Sequence, residues 1–248
     1  MPRTSRSILA LVASVLAVVV TLLTPVPADA AVPPTPAVGS CHNYGWTTFL
    51  GSSDASAAVP CSTSHTARTV RVGPLPTSEP YSTLVNDAKV WTYVDAQCQI
   101  PFQRSVGPWS SVAISGYVIA AFVPTQTQYA AGARWYRCDV VLKGLGRLYP
   151  IPNQSQLAIP LSPGRARCVH LTSQGPDFLA CAAPHTYREA GVAAGSGSGY
   201  PSSAAWMGLA RARCQSIART ANWYASWPSA IRWSAGDHYL TCYRPTTA

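Results

Sequence analysis

The chain has 248 residues, 11% of them charged, and a formal net charge of +9 at pH 7. This length suffices for one large domain or two small ones. The basic excess favours partners that carry negative charge, such as envelope polymers or lipid headgroups, although it would also serve solubility alone. The arginines are scattered along the chain, which argues against a nucleic-acid partner.

The N-terminal segment has the three parts of a secretory signal peptide. Arg3 and Arg6 precede an apolar or small-residue stretch of 16 residues, Ile8 to Leu23, and the small-residue site Ala28-Asp29-Ala30 follows. The apolar stretch is shorter than the ~20 residues of a membrane span, so we expect membrane attachment only through an uncleaved signal. We predict a signal peptide over residues 1–30, a disordered lead-in over 31–38, and a mature protein that is secreted or held at the cell envelope, where it meets no nucleic acid.

The first half of the mature chain contains one predicted helix and three predicted strands. Residues 69–72 alternate between outward and inward positions as a strand does. Apolar residues recur at three- and four-residue steps from Tyr81 to Cys98, which indicates a helix with Ser78 as its cap. The segments 117–123 and 135–142 are rich in aromatic and β-branched residues and predict two further strands.

A proline-rich segment separates this half from a second one of the same kind. Residues 146–165 include four prolines, which predicts an exposed and stiff linker. In the second half, apolar periodicity predicts a helix from about Ser202 to Ala218. The sequence therefore predicts an α+β protein with two tandem β-β-α-β-β modules, at 39–145 and 166–248.

Landmarks of the first half recur in the second half in the same order. Cys61 and Cys181 each begin a Cys-x3-His-Thr motif. A proline, a glycine eight residues later and a cysteine six residues after that close both halves: Pro124, Gly132 and Cys138, then Pro228, Gly236 and Cys242. This shared order indicates an internal duplication.

The mature chain contains an even number of cysteines. In an oxidising compartment such a set indicates disulfides before thiol chemistry. The predicted disulfide cysteines are Cys41, Cys61, Cys98, Cys138, Cys168, Cys181, Cys214 and Cys242. Duplication predicts that no bridge crosses the linker, but each half still allows three pairings. Our preferred set is Cys41–Cys61, Cys98–Cys138, Cys168–Cys181 and Cys214–Cys242, because the helix cysteine should face the final strand.

The Cys-x3-His-Thr motif has three possible roles. A zinc site usually shows two close ligand pairs, whereas the next cysteines lie 33 and 73 residues beyond His65. A catalytic Cys-His pair needs a free thiol, and no G-x-S-x-G motif marks a catalytic serine. We therefore favour a structural histidine that bonds a turn carbonyl, and we predict no catalytic residue, no metal and no cofactor.

The order of these cysteines, with Pro-Cys-x3-His-Thr before a helix cysteine and a final strand cysteine, resembles the septum formation domain of actinobacterial exported proteins. The resemblance covers about residues 39–143 and 166–245. This sequence departs from the family pattern in one respect. Family members typically carry a Glu three residues after the histidine, where this chain has Arg68 and Arg188. The resemblance implies two tandem domain copies and an association with cell division and the envelope, and it implies no defined reaction.

We therefore expect an exported, non-enzymatic protein that binds an anionic wall polymer or another exported protein. Its candidate contacts are His65, His185, Arg68 and Arg188, with the exposed arginines Arg211, Arg213 and Arg219. Those three arginines would equally suit a solvated helix surface. Two alternatives stay open: a wall-active hydrolase with an unrecognised site, and a small-ligand binding protein. The second would use the aromatic residues Trp223, Tyr224, Trp227 and Trp233.

Overall fold

The first half forms a five-stranded antiparallel sheet with one long helix against it. The computed structural model describes residues 32–246, so the predicted signal peptide lies outside the described residues. The strands are β1 (Cys41–His42), β2 (Ala67–Pro74), β3 (Tyr117–Phe122), β4 (Trp135–Lys143) and β5 (Leu148–Tyr149). The helices are α1 (Trp46–Phe49), α2 (Tyr81–Leu84), α3 (Ala88–Val106), α4 (Trp109–Ala113) and α5 (Gln126–Ala130). The sheet order is β1-β2-β4-β3, and β5 pairs with β4.

The second half repeats this plan after a short 3-10 turn at Pro163–Arg165. Its strands are β6 (Arg167–Thr172), β7 (Gly175–Ala180), β8 (Tyr187–Ala194), β9 (Tyr224–Ser226) and β10 (Tyr239–Pro245). Its helices are α6 (Ser203–Ala218) and α7 (Ala230–Ser234). The sheet order β7-β6-β8-β10-β9 contains the first half's order, with β6, β8, β10 and β9 in the places of β1, β2, β4 and β3. The predicted α+β class with disulfide-stapled halves is confirmed.

All four predicted disulfides are present. Cys41–Cys61 ties β1 to the loop before β2, and Cys168–Cys181 ties β6 to the loop between β7 and β8. Cys98–Cys138 and Cys214–Cys242 tie the long helix of each half to its last strand. The eight cysteines are thereby all used, and no bridge joins the two halves.

The long helix of the first half differs from its prediction. The segment breaks after α2, and α3 begins at Ala88. Its N-cap is Asp87, whose side chain accepts a hydrogen bond from the Lys89 backbone N–H. Helix α3 then continues past Cys98 and through Pro101. The predicted cap Ser78 therefore does not cap the long helix, since Asp87 is its N-cap and satisfies one of the first free N–H groups. Helix α6 matches its prediction, with Ser202 as its N-cap.

The segment predicted as an exposed linker packs against the protein instead. Ile151, Leu157 and Ala158 are buried in one apolar cluster with Phe102 and Val106 of α3. The backbone N–H groups of Leu157 and Ala158 donate to carbonyls at the end of that helix. The prolines deny the segment regular secondary structure, but its apolar residues still gain free energy by leaving water.

The two halves also contact each other directly, and residues from Val32 onward form one compact unit. The Trp109 indole N–H donates to the Ala235 carbonyl oxygen at 3.1 Å, and the Thr241 hydroxyl donates to the Ala113 carbonyl oxygen at 3.0 Å. Lys143 forms an ion pair with Asp177. Within residues 32–246, no helix has the length and apolar character needed to cross a membrane.

Candidate functional site

The two motif histidines lie inside the protein. His65 is 1% exposed and His185 is 7% exposed. Each Nδ1–H donates to the carbonyl oxygen two residues earlier, of Thr63 at 2.8 Å and of Ala183 at 2.7 Å. This is the turn bond that the structural interpretation predicts. Burial makes both rings unavailable to a partner, which corrects the expectation that they contact one.

One group of potential metal ligands occurs among the described residues. Ligand atoms of Cys168, Cys181 and His185 lie within 4.8 Å of one another. The two sulfur atoms are joined in a disulfide, so neither is the thiolate that zinc requires. In this oxidised state the group does not have the chemistry of a zinc site.

The two motif arginines have different surroundings. The Arg68 guanidinium donates to the Gln154 carbonyl oxygen at 2.7 Å and to the Ser105 hydroxyl at 2.9 Å. Arg188 donates to the Pro163 carbonyl oxygen at 2.9 Å, and its Nε lies 3.8 Å from a Glu189 carboxylate oxygen. Arg188 therefore has an acidic neighbour, whereas Arg68 is held by neutral groups alone.

Arg68 lines an open groove of about 650 Å³ between β2, α3 and the proline-rich segment. Arg71 and Arg104 line the same groove, and its remaining walls are neutral: Val38, Gly39, Cys61, Thr69, Val70, Val72, Pro101, Ser105, Asn153 and Ser155. None of these three arginines forms an ion pair within residues 32–246. Burial lowers the pKa of Arg68, but a guanidinium stays charged at neutral pH. We call this feature the arginine groove.

A second polar feature lies on the other face of the first sheet. Arg137 on β4 forms ion pairs with Asp54 at 2.6 Å and with Asp139 at 2.9 Å, and all three side chains are buried. The carboxylate of Asp139 also accepts hydrogen bonds from the hydroxyls of Tyr44 at 3.1 Å and Thr69 at 2.8 Å. Trp135, Arg137 and Asp139 alternate along β4, which places them on one face, opposite the face that meets α3.

His42 lies beside this buried charge cluster. Its Nδ1 is 4.0 Å from an Asp54 carboxylate oxygen, and its Nε2 is 3.0 Å from the Ser40 hydroxyl. Burial lowers the pKa of His42, and the Arg137 charge adds to the effect. Burial would raise the pKa of Asp54, but hydrogen bonds from Arg137 and Ser56 outweigh it and lower the pKa. Burial raises the pKa of Asp139.

The comparisons with known proteins agree with the duplicated cysteine order. A family profile described as "Septum formation" matches residues 38–242, which include both halves. The chain belongs to the septum formation family. Neither the curated proteins nor the solved structures contain a significant match to it. The family profile matches once, over both halves, and the interpretation of these halves as two domain copies stays a prediction.

The four disulfides of this septum formation protein are consistent with folding outside the cytoplasm. Two of the aromatic residues considered for a small ligand, Trp227 and Trp233, pack inside the second half instead. Trp227 stacks on Trp206 at 6.2 Å between ring centres, and Trp233 meets the same ring edge-on at 5.5 Å. These rings form the core of the second half together with Cys214 and Cys242.

The other candidate contacts are the arginines of α6. Arg211 and Arg213 are exposed on this helix and Arg219 ends it, and none of the three forms an ion pair among the described residues.

The buried charge cluster of the septum formation protein was missed by sequence reasoning. Its members Asp54, Arg137 and Asp139 have no spacing that marks them as a group. The only available signal was the pair Arg137 and Asp139, two charged residues separated by one position on a predicted strand where apolar residues were expected. The second half does not repeat it: aligned on the cysteines, Val169, Thr241 and Tyr243 stand in the places of His42, Arg137 and Asp139.

Proposed function

We propose that this septum formation protein is exported to the cell envelope and acts there by binding a polyanionic wall polymer in the arginine groove. The observation that carries the proposal is the grouping of Arg68, Arg71 and Arg104 in one open groove whose lining contains no carboxylate. Three cations without acidic partners create a positive potential that attracts an extended anion.

The groove has the fixed geometry that polymer binding favours. Ser105 and the Gln154 carbonyl hold the Arg68 guanidinium, and the Tyr136 hydroxyl accepts a hydrogen bond from Arg71 at 3.2 Å. Side chains that are already ordered lose little conformational entropy when a ligand arrives. Arginine also suits carboxylate and phosphate oxygens, because its N–H groups can form two parallel hydrogen bonds to one anion.

Cosedimentation of the mature protein with purified cell-wall fragments tests the proposal. The fragments are used intact, and again after their phosphate- or carboxylate-bearing polymers have been removed. We expect binding to the intact fragments alone, and binding that weakens as salt screens the charges. Arg71→Gln with Arg104→Gln should reduce the affinity about tenfold, at roughly 0.7 kcal/mol for each charge removed.

Arg211→Gln with Arg213→Gln is the matched control, because it removes the same charge from the exposed helix α6. These arginines are also the competing contact candidates. If the helix variant loses binding and the groove variant keeps it, the arginine groove is not the contact surface. If the fragments without their anionic polymers retain both variants as well as the intact fragments do, the polymer is not the partner.

Export has its own test. N-terminal sequencing of the protein from the envelope or the medium should give a terminus near Ala31, since the small-residue site ends at Ala30. An intact Met1 or Pro2 terminus in the membrane fraction would favour an uncleaved anchor instead.

A further inference from the structure

A cavity of about 260 Å³ lies next to the buried charge cluster, on the side of the first sheet that faces away from α3. Trp135 and Arg137 of β4 line it together with His42 and Asp54. Residues 34–37 of the lead-in, which we expected to be disordered, form another part of its wall. The cavity is separate from the arginine groove, whose lining contains none of these residues.

Three residues of the cavity wall carry a buried nitrogen without a hydrogen-bond partner. They are the indole N–H of Trp135, the Nε–H of Arg137 and Nδ1 of His42. Their residues are 4%, 2% and 4% exposed. Buried polar groups are nearly always paired, and each unpaired one costs stability. The Trp135 and Arg137 groups are donors, so what is missing beside them is an acceptor.

The charges of the cluster decide which kind of acceptor fits. Asp54 and Asp139 face the single guanidinium of Arg137, so the cluster is neutral if one carboxyl holds a proton and carries one negative charge if neither does. No net positive charge is left to attract a carboxylate or a phosphate. A cation is disfavoured as well, because the unpaired groups of Trp135 and Arg137 are donors. A neutral carbonyl oxygen accepts hydrogen bonds from these donors and carries no net charge, so it fits the cavity.

We propose that this cavity binds a neutral amide group, of the kind found in an N-acetylated sugar or a peptide, with its carbonyl oxygen toward Trp135 and Arg137. Pro34, Pro36 and Ala37 give the cavity apolar surface for the adjoining methyl or alkyl carbon. The proposal does not rest on the arginine groove, because the two features have separate walls.

The second half shows that the fold does not require this cluster. Tyr239 and Thr241 stand in the places of Trp135 and Arg137, yet β10 forms the same ladder with its neighbours as β4 does. A buried ion pair is also a poor source of stability, because desolvation offsets much of its attraction. The second half has an ion pair of other residues near these positions, Arg232 with Asp237, so the fold does not fix the arrangement of Asp54, Arg137 and Asp139. The desolvation cost of this arrangement and its unpaired donors are better explained by a ligand than by folding.

Proton–nitrogen NMR of the tryptophan side chains tests the proposal on the whole mature protein. The chain has eight tryptophans, and Trp135→Phe identifies the signal of Trp135 by its loss. The probes are N-acetylglucosamine, N-methylacetamide and glucose, which lacks the amide. We expect the Trp135 indole proton to shift with at least one amide probe, with a Kd of about 1 mM, as is ordinary for ligands of this size.

The two amide probes distinguish the two possible sources of the amide group, an N-acetylated sugar and a peptide. A response to N-acetylglucosamine alone indicates an N-acetylated sugar, and a response to N-methylacetamide indicates a peptide or another amide. Trp135→Phe keeps an aromatic ring and removes the donor, so it should weaken binding about tenfold. Because this variant has no Trp135 signal, its affinity is measured from the proton signals of the probe itself. No shift with either amide probe, or an equal shift with glucose, would overturn the proposal.

Trp206→Phe is the matched control. Trp206 also has a buried indole N–H without a partner, but it lines a separate cavity of about 110 Å³ in the second half. This variant should bind the amide probe as the unmodified protein does. Trp206→Phe also identifies the Trp206 signal by its loss. If the Trp206 signal of the unmodified protein shifts as much as the Trp135 signal, the response is unspecific and the proposal fails.

Discussion

His65 and His185 make the same hydrogen bond 120 residues apart. Each Nδ1–H donates to the carbonyl oxygen two residues earlier, and each histidine follows a disulfide cysteine by four residues. In both halves the imidazole thereby closes the turn between the disulfide and the next long strand. The recurring motif is explained by this turn, without a metal or a reaction.

Replacing either histidine should therefore lower stability. We expect His65→Ala and His185→Ala to reduce the free energy of unfolding by about 1–3 kcal/mol each, because the turn carbonyl loses the donor that a buried imidazole supplies. Urea unfolding measures the loss, and His170→Ala, a partly exposed histidine of β6, is the control. An unchanged stability together with lost wall binding would instead make the histidines contact residues.

The helix-to-strand disulfides should be the strongest covalent stabilisers. Replacing Cys98 and Cys138 by alanine opens a loop with a sequence separation of 40, and replacing Cys214 and Cys242 opens one of 28. The chain-entropy relation gives a loss of roughly 3–4 kcal/mol for each, slightly larger for the longer loop. Chemical denaturation of the two double variants measures this.

Non-reducing peptide mapping of the natural protein should recover the four pairs, and a pair that joins the two halves would contradict the fold.

His42 should make the protein sensitive to mild acid. The pKa of His42 is lowered by burial and by the nearby Arg137 charge, so the folded chain holds this proton less tightly than the unfolded chain. Stability is therefore fully present above the unfolded-state pKa of about 6.5 and falls as the pH drops below it.

His42→Gln should remove this part of the pH dependence. The measurement is the free energy of unfolding between about pH 5 and 8, a range around the ordinary histidine pKa. His170→Gln is the control for the loss of a histidine outside the buried charge cluster. If His42→Gln leaves the slope unchanged and His170→Gln removes it, the acid sensitivity does not arise from the cluster.

The proline-rich segment should contribute to stability as part of the core. Leu157 is fully buried against α3, so Leu157→Ala should cost about 2–5 kcal/mol. Ile159→Ala, two residues away at a side chain that is 46% exposed, is the control and should cost much less. Equal and small losses in thermal unfolding would restore the interpretation of this segment as an exposed linker.

Local sequence signals predicted several of the longer elements of the fold. Apolar periodicity predicted α6 within one residue, and the aromatic and β-branched runs predicted β3 and β4. The first long helix was predicted less well, because the Asp87 side chain caps a new helix inside an apolar pattern that continues without interruption. The packing of Leu157 was missed, since proline content describes backbone stiffness and says nothing about what the neighbouring side chains contact.

The sequence by itself determined the α+β class and the rule that disulfides stay within a half. It predicted the order β-β-α-β-β for each half, and the structure adds one strand to each, β5 in the first and β7 in the second. Those features depend on residue types at short spacing and on landmarks that recur along the chain. Only the tertiary structure decided that Arg68, Arg71 and Arg104 share a groove, and that Asp54 meets Arg137 from 83 positions away. Such contacts depend on which face of a strand is covered by which distant segment. Strand pairing and chain crossing fix that relationship, and no local pattern records it.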